Sequence, residues 1–575
     1  MGIPTYFRSI LKDNPSIVEC SYSKSDVNAL FLDFNALIYN VFAKKTFNGE
    51  NELIENVIQE VQNISNNIVK PKDLLYIAVD GTAPRAKMVQ QRSRRYKSVF
   101  LEKRLKNEGK ETSWNASNNI CPGTKFMELF NKKMLLAIEK KAFSVKKVYF
   151  DGSFRPGEGE HKILPCLKNM AKNEQEKSVV VFSPDNDILS LCMLSEKKNI
   201  KILRYMDIYC LDILKKTDDN LKHFDDKNLH SAPMIYIDID KFWIDFSKTM
   251  SGKDPENTLL DYNFLLSMVG NDFVPSLPFM KIRSGGLDFI IKFYNEIKNT
   301  NPSLRTGYLI DKKTLNIHIP FFKDLILLLA KKEDSEMKKM YQMFQQRKFY
   351  APYEKEYKYP WQEFEAKCSH LYLFDQENPF FTEYEGDFKK INYNLSKTEW
   401  KSQYYEHFCN TTVENYNQTR TKIVHNYLES LKFCLFYYNK ECPSWKWHYK
   451  YRVPPLFSDV YSVLVKQKFN PNKITFQLGH PFTPLEQLFL ILPPDSFHLV
   501  PSKCFTIFQK YKMYYPLDFR VDATIGLKFI YSEAILPEFE CFLNFISDIR
   551  QNEKKLSSIE KERFQILDKI YKFVR

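Results

Sequence analysis

The chain has no cysteine framework. Its eleven cysteines are scattered over 575 residues, their number is odd, and none forms a C-x-x-C pair or a zinc-ligand spacing. That excludes a disulfide scaffold and points to reduced thiols in an intracellular protein. Long apolar runs are also missing. No stretch reaches the length that spans a bilayer, and Lys12 and Asp13 interrupt the early apolar segment, so neither a membrane span nor a signal peptide is expected. Tyr6 stands where an N-myristoylation signal would want Ser or Thr. There is no internal repeat and no long low-complexity tract. Histidine is sparse, and His161, beside Glu160, has no second histidine or cysteine at zinc spacing, so a core or supporting role is expected for it. Glycine is scarce, with 16 residues, while Lys, Asn, Ile, Tyr and Phe abound, a bias of the kind an AT-rich coding sequence leaves.

What is present is acidic and well placed. Asp33, Asp80, Glu158, Glu160, Asp185, Asp187 and Asp272 each fall where a strand or turn is predicted to end. The segments ALFLDFN, LLYIAVDG, KKVYFDG (146–152) and SVVVFSPDND (178–187) are short apolar runs that read as buried strands. Helical stretches separate them, which predicts an α/β fold with a mostly parallel central sheet flanked by helices. In such sheets ligands bind beyond the carboxyl ends of the strands, so Asp33, Asp80 and the Asp185/Asp187 pair should converge. Glu158 and Glu160 lie in PGEGEHKIL, where two glycines allow a bend and a helix should begin. Asp272 follows DYNFLLSMVG, where Gly270 reads as a helix C-cap that turns the chain toward the site. Any one of these acids alone could be a cap or turn residue. Repetition at strand ends argues for a site. Clustered carboxylates raise one another's pKa and pay for burial, a state that divalent metal relieves. Hard oxygen donors suit Mg²⁺, or Mn²⁺ in its place, and so a metal-dependent phosphoryl-transfer site.

A basic segment follows Asp80. Residues 85–106 read RAKMVQQRSRRYKSVFLEKRLK with one acid, Glu102, and Pro84 suits the first turn of a helix. On that helix Lys87, Gln91, Arg94 and Arg95 share one face. Forked guanidinium donors, an ammonium and a neutral amide make a phosphate pocket. A solvated basic face is the plainer alternative, which adjacency to Asp80 weakens.

MGIPTYFRSI, IAVDGTAPRAKMVQQRSRR, CPGTKFM (121–127), PGEGEHKI, SPDNDI and VGNDFVPSLP resemble, in order, the signature segments of the XRN family of 5′→3′ exoribonucleases. Residues 427–459 and 480–501 resemble its second conserved region. The resemblance covers about 1–345 and 396–575. It implies a PIN- and flap-endonuclease-like core at 1–345 with the metal site and phosphate pocket, and a mainly helical second region at 396–575 packed on it. Between them, 346–395 reads as a linker or insertion, and a shorter break surrounds Lys106–Cys121. The resemblance further implies that the seven acids hold two Mg²⁺ ions, one activating water and the other stabilising the leaving 3′-oxygen. Lys87, Gln91, Arg94 and Arg95 would hold the 5′-monophosphate of single-stranded RNA, and nucleoside 5′-monophosphates would be released processively. The family stacks the first base between a His and a Trp. Here Tyr39 occupies the His position, and Trp447, or else Trp445, would be its partner. A narrow pocket would exclude caps, triphosphates and duplex ends. The chain stops soon after the second region, so a minimal catalytic body is expected.

Length and charge agree. The chain can bury a large core, and a net charge of +14 with 15% aromatics suits a single-stranded polyanion. A monomer, cytoplasmic with a nuclear site left open, is expected, with no membrane partner and with the decapping machinery as one conceivable protein partner. The residues also admit a flap-endonuclease-type DNA nuclease or a silent RNA-binding scaffold. The PSWKW segment weighs against the first, and the intact acids against the second.

Overall fold

The computed structural model describes residues 6–20, 26–44, 47–107, 114–216, 218–225, 228–252, 254–305, 307–346, 391–412, 414–522 and 533–575. The linker expected at 346–395 lies almost wholly outside these residues, as does the middle of the break at 106–121.

The four predicted strand segments are strands. In chain order the main sheet contains β1 (Val18–Glu19), β2 (Ala29–Asp33), β3 (Leu74–Ala78), β4 (Lys147–Asp151), β5 (Val179–Phe182), β6 (Ile200–Arg204) and β7 (Ile235–Asp238). Two short strands, β8 (Arg520–Asp522) and β9 (Glu533–Ile535), stand outside it, and β10 (Tyr571–Val574) closes one edge. The order is β1-β7-β6-β5-β2-β3-β4-β10. The five strands β6-β5-β2-β3-β4 are parallel, and β7, β1 and β10 join antiparallel at the margins. Every residue of β2 and β5 is buried. Both are therefore continuous apolar runs rather than alternating ones, as central parallel strands require. Each large apolar side chain there contributes roughly 1.5–3 kcal/mol by burial.

From β2 the chain runs outward to β3 and β4, then returns to place β5 on the other side of β2. The order reverses between β2 and β5. A crevice opens at such a switch point beyond the carboxyl ends of the strands, and Asp33 and the Ser183–Asp187 turn flank it.

Packing divides the chain into two units that do not run in sequence order. The sheet unit comprises residues 10–242, 479–519 and 534–575. The second unit comprises 1–9, 243–478 and 520–533 and is helical, with Ile319–Gln346 packed along Phe457–Lys466 and Pro255–Met268 along Tyr416–Asn439. Among the described residues no helix is long and apolar enough to cross a membrane.

Candidate active site

The acids gather at the switch point. Asp33 ends β2 and is 4% exposed, and Ser183, just past β5, donates its hydroxyl to Asp33 Oδ2 at 2.7 Å. The Ser183 Oγ also accepts from the Asp185 backbone N–H at 3.1 Å, which ties the SPDND turn to the end of β2. Asp80 lies two residues past β3. Its carboxylate accepts from Gly159 N at 2.7 Å, while its own N–H donates to Asn35 Oδ1 at 3.2 Å. The Gly159–Asn173 helix begins in this contact and brings Glu158 and Glu160 with it. A side chain at Gly159 would collide with the cluster, since a Cβ there would sit 2.5 Å from Asp33 Oδ1. Asp187 opens the next helix, Asp187–Leu194, and is buried within electrostatic reach of Glu160.

Asp33, Glu160 and Asp185 each offer an oxygen within 4.8 Å of the others. Glu158, Glu160 and His161 form a second trio by the same measure. His161, for which a core or supporting role was expected, thus lies with two carboxylates and with no second histidine or cysteine in that group. It follows Glu160 directly in the first turn of the helix, with Glu158 at its N-cap. Burial is the largest influence on its ring and depresses its pKa to about 4, so it is neutral at physiological pH.

The electrostatics call for a cation. Burial, reinforced by Asp185 and Asp80, pushes the Asp33 carboxyl well above its usual range. Burial and then Glu158 and Asp33 do the same to Glu160. Burial and Glu158 push Asp80 up to about 6 against the opposing Gly159 N–H, Lys87 and Lys162. Like charges so placed resist joint ionisation. An oxygen donor set of this density fits a hard divalent ion, and the close approach at Gly159 keeps space for the carboxylates.

Asp272 belongs to the helical unit. The helix Pro255–Met268 ends before Gly270, whose φ of +106° few other residues adopt. Asn271 then accepts the N–H groups of Phe273 and Val274, both at 2.9 Å, and fixes the turn that carries Asp272.

The basic segment is one helix, Arg85–Asn107, with Pro84 just before it. Lys87 reaches back to the acids and pairs with Glu158 Oε1 at 2.6 Å. Gln91 follows one turn later. Arg94 is half-buried and donates to Gln90 Oε1 at 3.3 Å, whereas Arg95 is 8% exposed. Tyr39, on the Asn35–Lys44 helix, is 37% exposed and within electrostatic reach of Arg94, Arg95 and Asp80. In the helical unit, Trp447 is held on two sides. Its indole N–H donates to Glu429 Oε2 at 3.0 Å, and its ring stacks on Phe433 with centroids 4.6 Å apart. Trp445 is anchored by its backbone N–H to Leu478 O at 2.8 Å.

Sequence reasoning missed the supporting residues. Asp151 ends β4 as Asp33 ends β2, yet it is wholly buried in a separate network. Lys162 Nζ lies 3.1 Å from Asp151 Oδ1, and Tyr76 and Arg155 donate to Oδ2 at 2.9 and 2.5 Å. Lys162 also donates to Val79 O and Gly152 O, at 2.7 and 2.9 Å, and so ties the chain after β3 to the chain after β4. Burial lowers its pKa to about 8 against the pull of Asp151. Ser183 and Asn35 adjoin the acids in sequence, and that adjacency was the only signal for them.

A family model described as the XRN 5′-3′ exonuclease N-terminus matches residues 1–206. A second, described as the Xrn1 helical domain, matches 252–371 and 365–573. The 5′-3′ exoribonuclease 1 of Schizosaccharomyces pombe is 27% identical over 98% of this chain and 49% of its own length. The enzyme of that name from Saccharomyces cerevisiae is 25% identical over all of this chain and 45% of its own length. The human one is 26% identical over 91% of this chain and 32% of its own length. The chain thus spans about half or less of the length of these curated relatives. With both family models matched in order across nearly its whole length, the chain belongs to the XRN family of 5′-3′ exonucleases.

Proposed function

We propose that the chain is a Mg²⁺-dependent 5′→3′ exoribonuclease that removes nucleoside 5′-monophosphates from single-stranded RNA carrying a 5′-monophosphate. One observation carries the proposal. A buried carboxylate cluster and a basic helix face are joined through the Lys87–Glu158 pair, so an anionic 5′ end bound on the helix lies beside the acids. Relatives named exoribonucleases support the choice of RNA.

Asp33, Asp80, Glu158, Glu160, Asp185 and Asp187 would hold the metal, and Asp272 is assigned with them by family resemblance. Bound divalent ions supply an activated water and neutralise charge on the leaving oxygen. The protein's own groups do the rest. Gln91, Arg94 and Arg95 hold the terminal phosphate by directed donors. Lys87 offsets the acids at the boundary. Trp447, preset by Glu429 and Phe433, offers a rigid face to a base, and Tyr39 an exposed one.

The test uses the pure chain with Mg²⁺ and matched 3′-end-labelled strands: RNA with 5′-monophosphate, 5′-hydroxyl or 5′-triphosphate, and DNA with 5′-monophosphate. Rapid loss of the first alone is expected. Equal or faster loss of DNA would favour a flap-endonuclease-like activity, and no loss of any strand a silent scaffold.

Metal affinity should depend steeply on pH. The raised acids are neutral below their pKa and cannot ligate, so affinity weakens as pH falls through 6, where Asp80 titrates, and binding releases protons. Mn²⁺ affinity, followed by electron paramagnetic resonance, should fall about tenfold or more between pH 7.5 and 5.5. An affinity that does not change with pH would place the ion elsewhere.

The aromatic residues should govern hold on the strand more than bond cleavage. Loss of one stacked base costs about 1–3 kcal/mol. Trp447→Ala should shorten processive runs on a long 5′-monophosphate RNA, measured in a single-turnover assay with a trap for released enzyme. Tyr39→Phe should be nearly silent and Tyr39→Ala should resemble the Trp variant. A Tyr39→Phe defect equal to that of Tyr39→Ala would show that the hydroxyl, not stacking, is used.

A further inference from the structure

Gln487 is wholly buried on the Pro484–Ile491 helix, which packs against the basic helix within the sheet unit. Its carboxamide contacts three groups. Oε1 accepts from the backbone N–H of Ala83 at 2.8 Å, and Nε2 donates to Gln91 Oε1 at 3.5 Å and to Cys121 Sγ at 3.7 Å.

The orientation of this amide follows from chemistry. A backbone N–H can only donate, so the end of Gln487 facing Ala83 must be its oxygen. Its NH₂ then faces Gln91 and Cys121. An amide N–H also only donates, so Gln91 must turn its own oxygen inward. That leaves the Gln91 NH₂ as the end available to a ligand, on the face it shares with Arg94 and Arg95. At 3.5 Å the Gln487–Gln91 contact is long, and its effect is to orient rather than to bind.

We propose that Gln487 is a positioning residue that sets the polarity of Gln91, so that the basic face presents donors only. A terminal phosphoryl group offers acceptors only at neutral pH. A reversed Gln91 would set a carbonyl oxygen against it. Gln487 thereby contributes to discrimination between a 5′-monophosphate and a 5′-hydroxyl without touching the RNA. The inference rests on the reading of this face as the 5′-phosphate pocket.

The experiment measures kcat/KM for 5′-monophosphate and 5′-hydroxyl RNA of one sequence, and takes their ratio, for the full chain with Mg²⁺. Gln487→Glu, assayed at pH 8.5 so that the buried carboxyl is ionised, keeps an acceptor for Ala83 N–H but replaces the NH₂ with an acceptor oxygen, which forces Gln91 to reverse. The ratio should fall about tenfold, the equivalent of one charge-assisted hydrogen bond. Adding Gln91→Ala to Gln487→Glu should lower it no further, because the second residue acts through the first. An unchanged ratio in Gln487→Glu, or losses that multiply in the double variant, overturns the proposal. If thermal melting shows that Gln487→Glu does not fold, Gln487→Met carries the test. It releases Gln91 to sample both orientations, so the ratio should fall about twofold, and an unchanged ratio overturns the proposal. Gln91→Ala alone distinguishes the two levels. If it leaves the ratio intact, the phosphate pocket itself is misassigned. If it lowers the ratio while the Gln487 variants do not, only the positioning role fails.

Discussion

Asp33→Asn should remove about three powers of ten of turnover, roughly 4 kcal/mol of transition-state stabilisation, while making the metal-free protein harder to melt. Both effects come from one charge. Asp33 shares its trio with Glu160 and Asp185, and Asn keeps the shape but not the charge that holds an ion. Its side-chain oxygen can still accept from Ser183, so the local hydrogen bond survives. In the apo protein the folded-state pKa of Asp33 is raised above its unfolded value, by burial first and then by Asp185 and Asp80. A raised acid costs stability once pH exceeds its unfolded value, and that cost disappears as pH falls below it. With EDTA at pH 7.5, Asp33→Asn should therefore melt at a higher temperature than the wild type, and at pH 4 the difference should be small. Saturating Mn²⁺ should reverse the order, because only the wild type is stabilised by binding. Asp185→Asn should lose turnover to a similar extent. Thermal melts in the two conditions, with turnover at saturating Mg²⁺, provide the check. Turnover within tenfold of wild type would remove Asp33 from the site, and an apo protein destabilised by the substitution would refute the crowding of charge.

The parallel sheet was legible because β2, β3, β4 and β5 are short apolar runs separated by helical stretches, and local pattern suffices for that. The acidic cluster was legible in part. A strand-end carboxylate is a local signal, but its destination is not. Asp80 and Asp151 follow adjacent parallel strands, and nothing local separates them. Lys162, Arg155 and Tyr76 converge on Asp151 and take it into a structural network, while Asp80 turns toward Gly159. Gln487 lies 396 residues from its partner Gln91, and a buried amide carries no pattern that would announce such a contact. Position within an element can be read from neighbours in sequence, whereas the partner of a buried polar group depends on tertiary contacts.

Arg94→Ala and Arg95→Ala should each lower the preference for 5′-monophosphate over 5′-hydroxyl RNA by about 1.5–3 kcal/mol, or roughly ten- to a hundredfold. The basic helix holds Lys87, Gln91, Arg94 and Arg95 on one face, but their surroundings differ. Lys87 is engaged with Glu158 and acts at the boundary with the acids. Arg95 is buried, so a phosphate meeting it is shielded from water and the bond strengthens. Arg94 is more exposed and should contribute toward the lower end of the range. Arg95→Lys should recover only part of the preference, because an ammonium keeps the charge but not the planar fork. Lys103 serves as the control. It lies two turns further along the helix and pairs with Asp495 at 2.8 Å, so Lys103→Ala should leave the preference unchanged. The ratio of kcat/KM for the two RNAs, at fixed ionic strength, separates recognition of the end from attraction to the strand. A general basic surface would slow both RNAs equally and leave the ratio intact. A pocket for the terminal phosphate lowers the ratio because the 5′-hydroxyl strand never made the contact that the variant has lost.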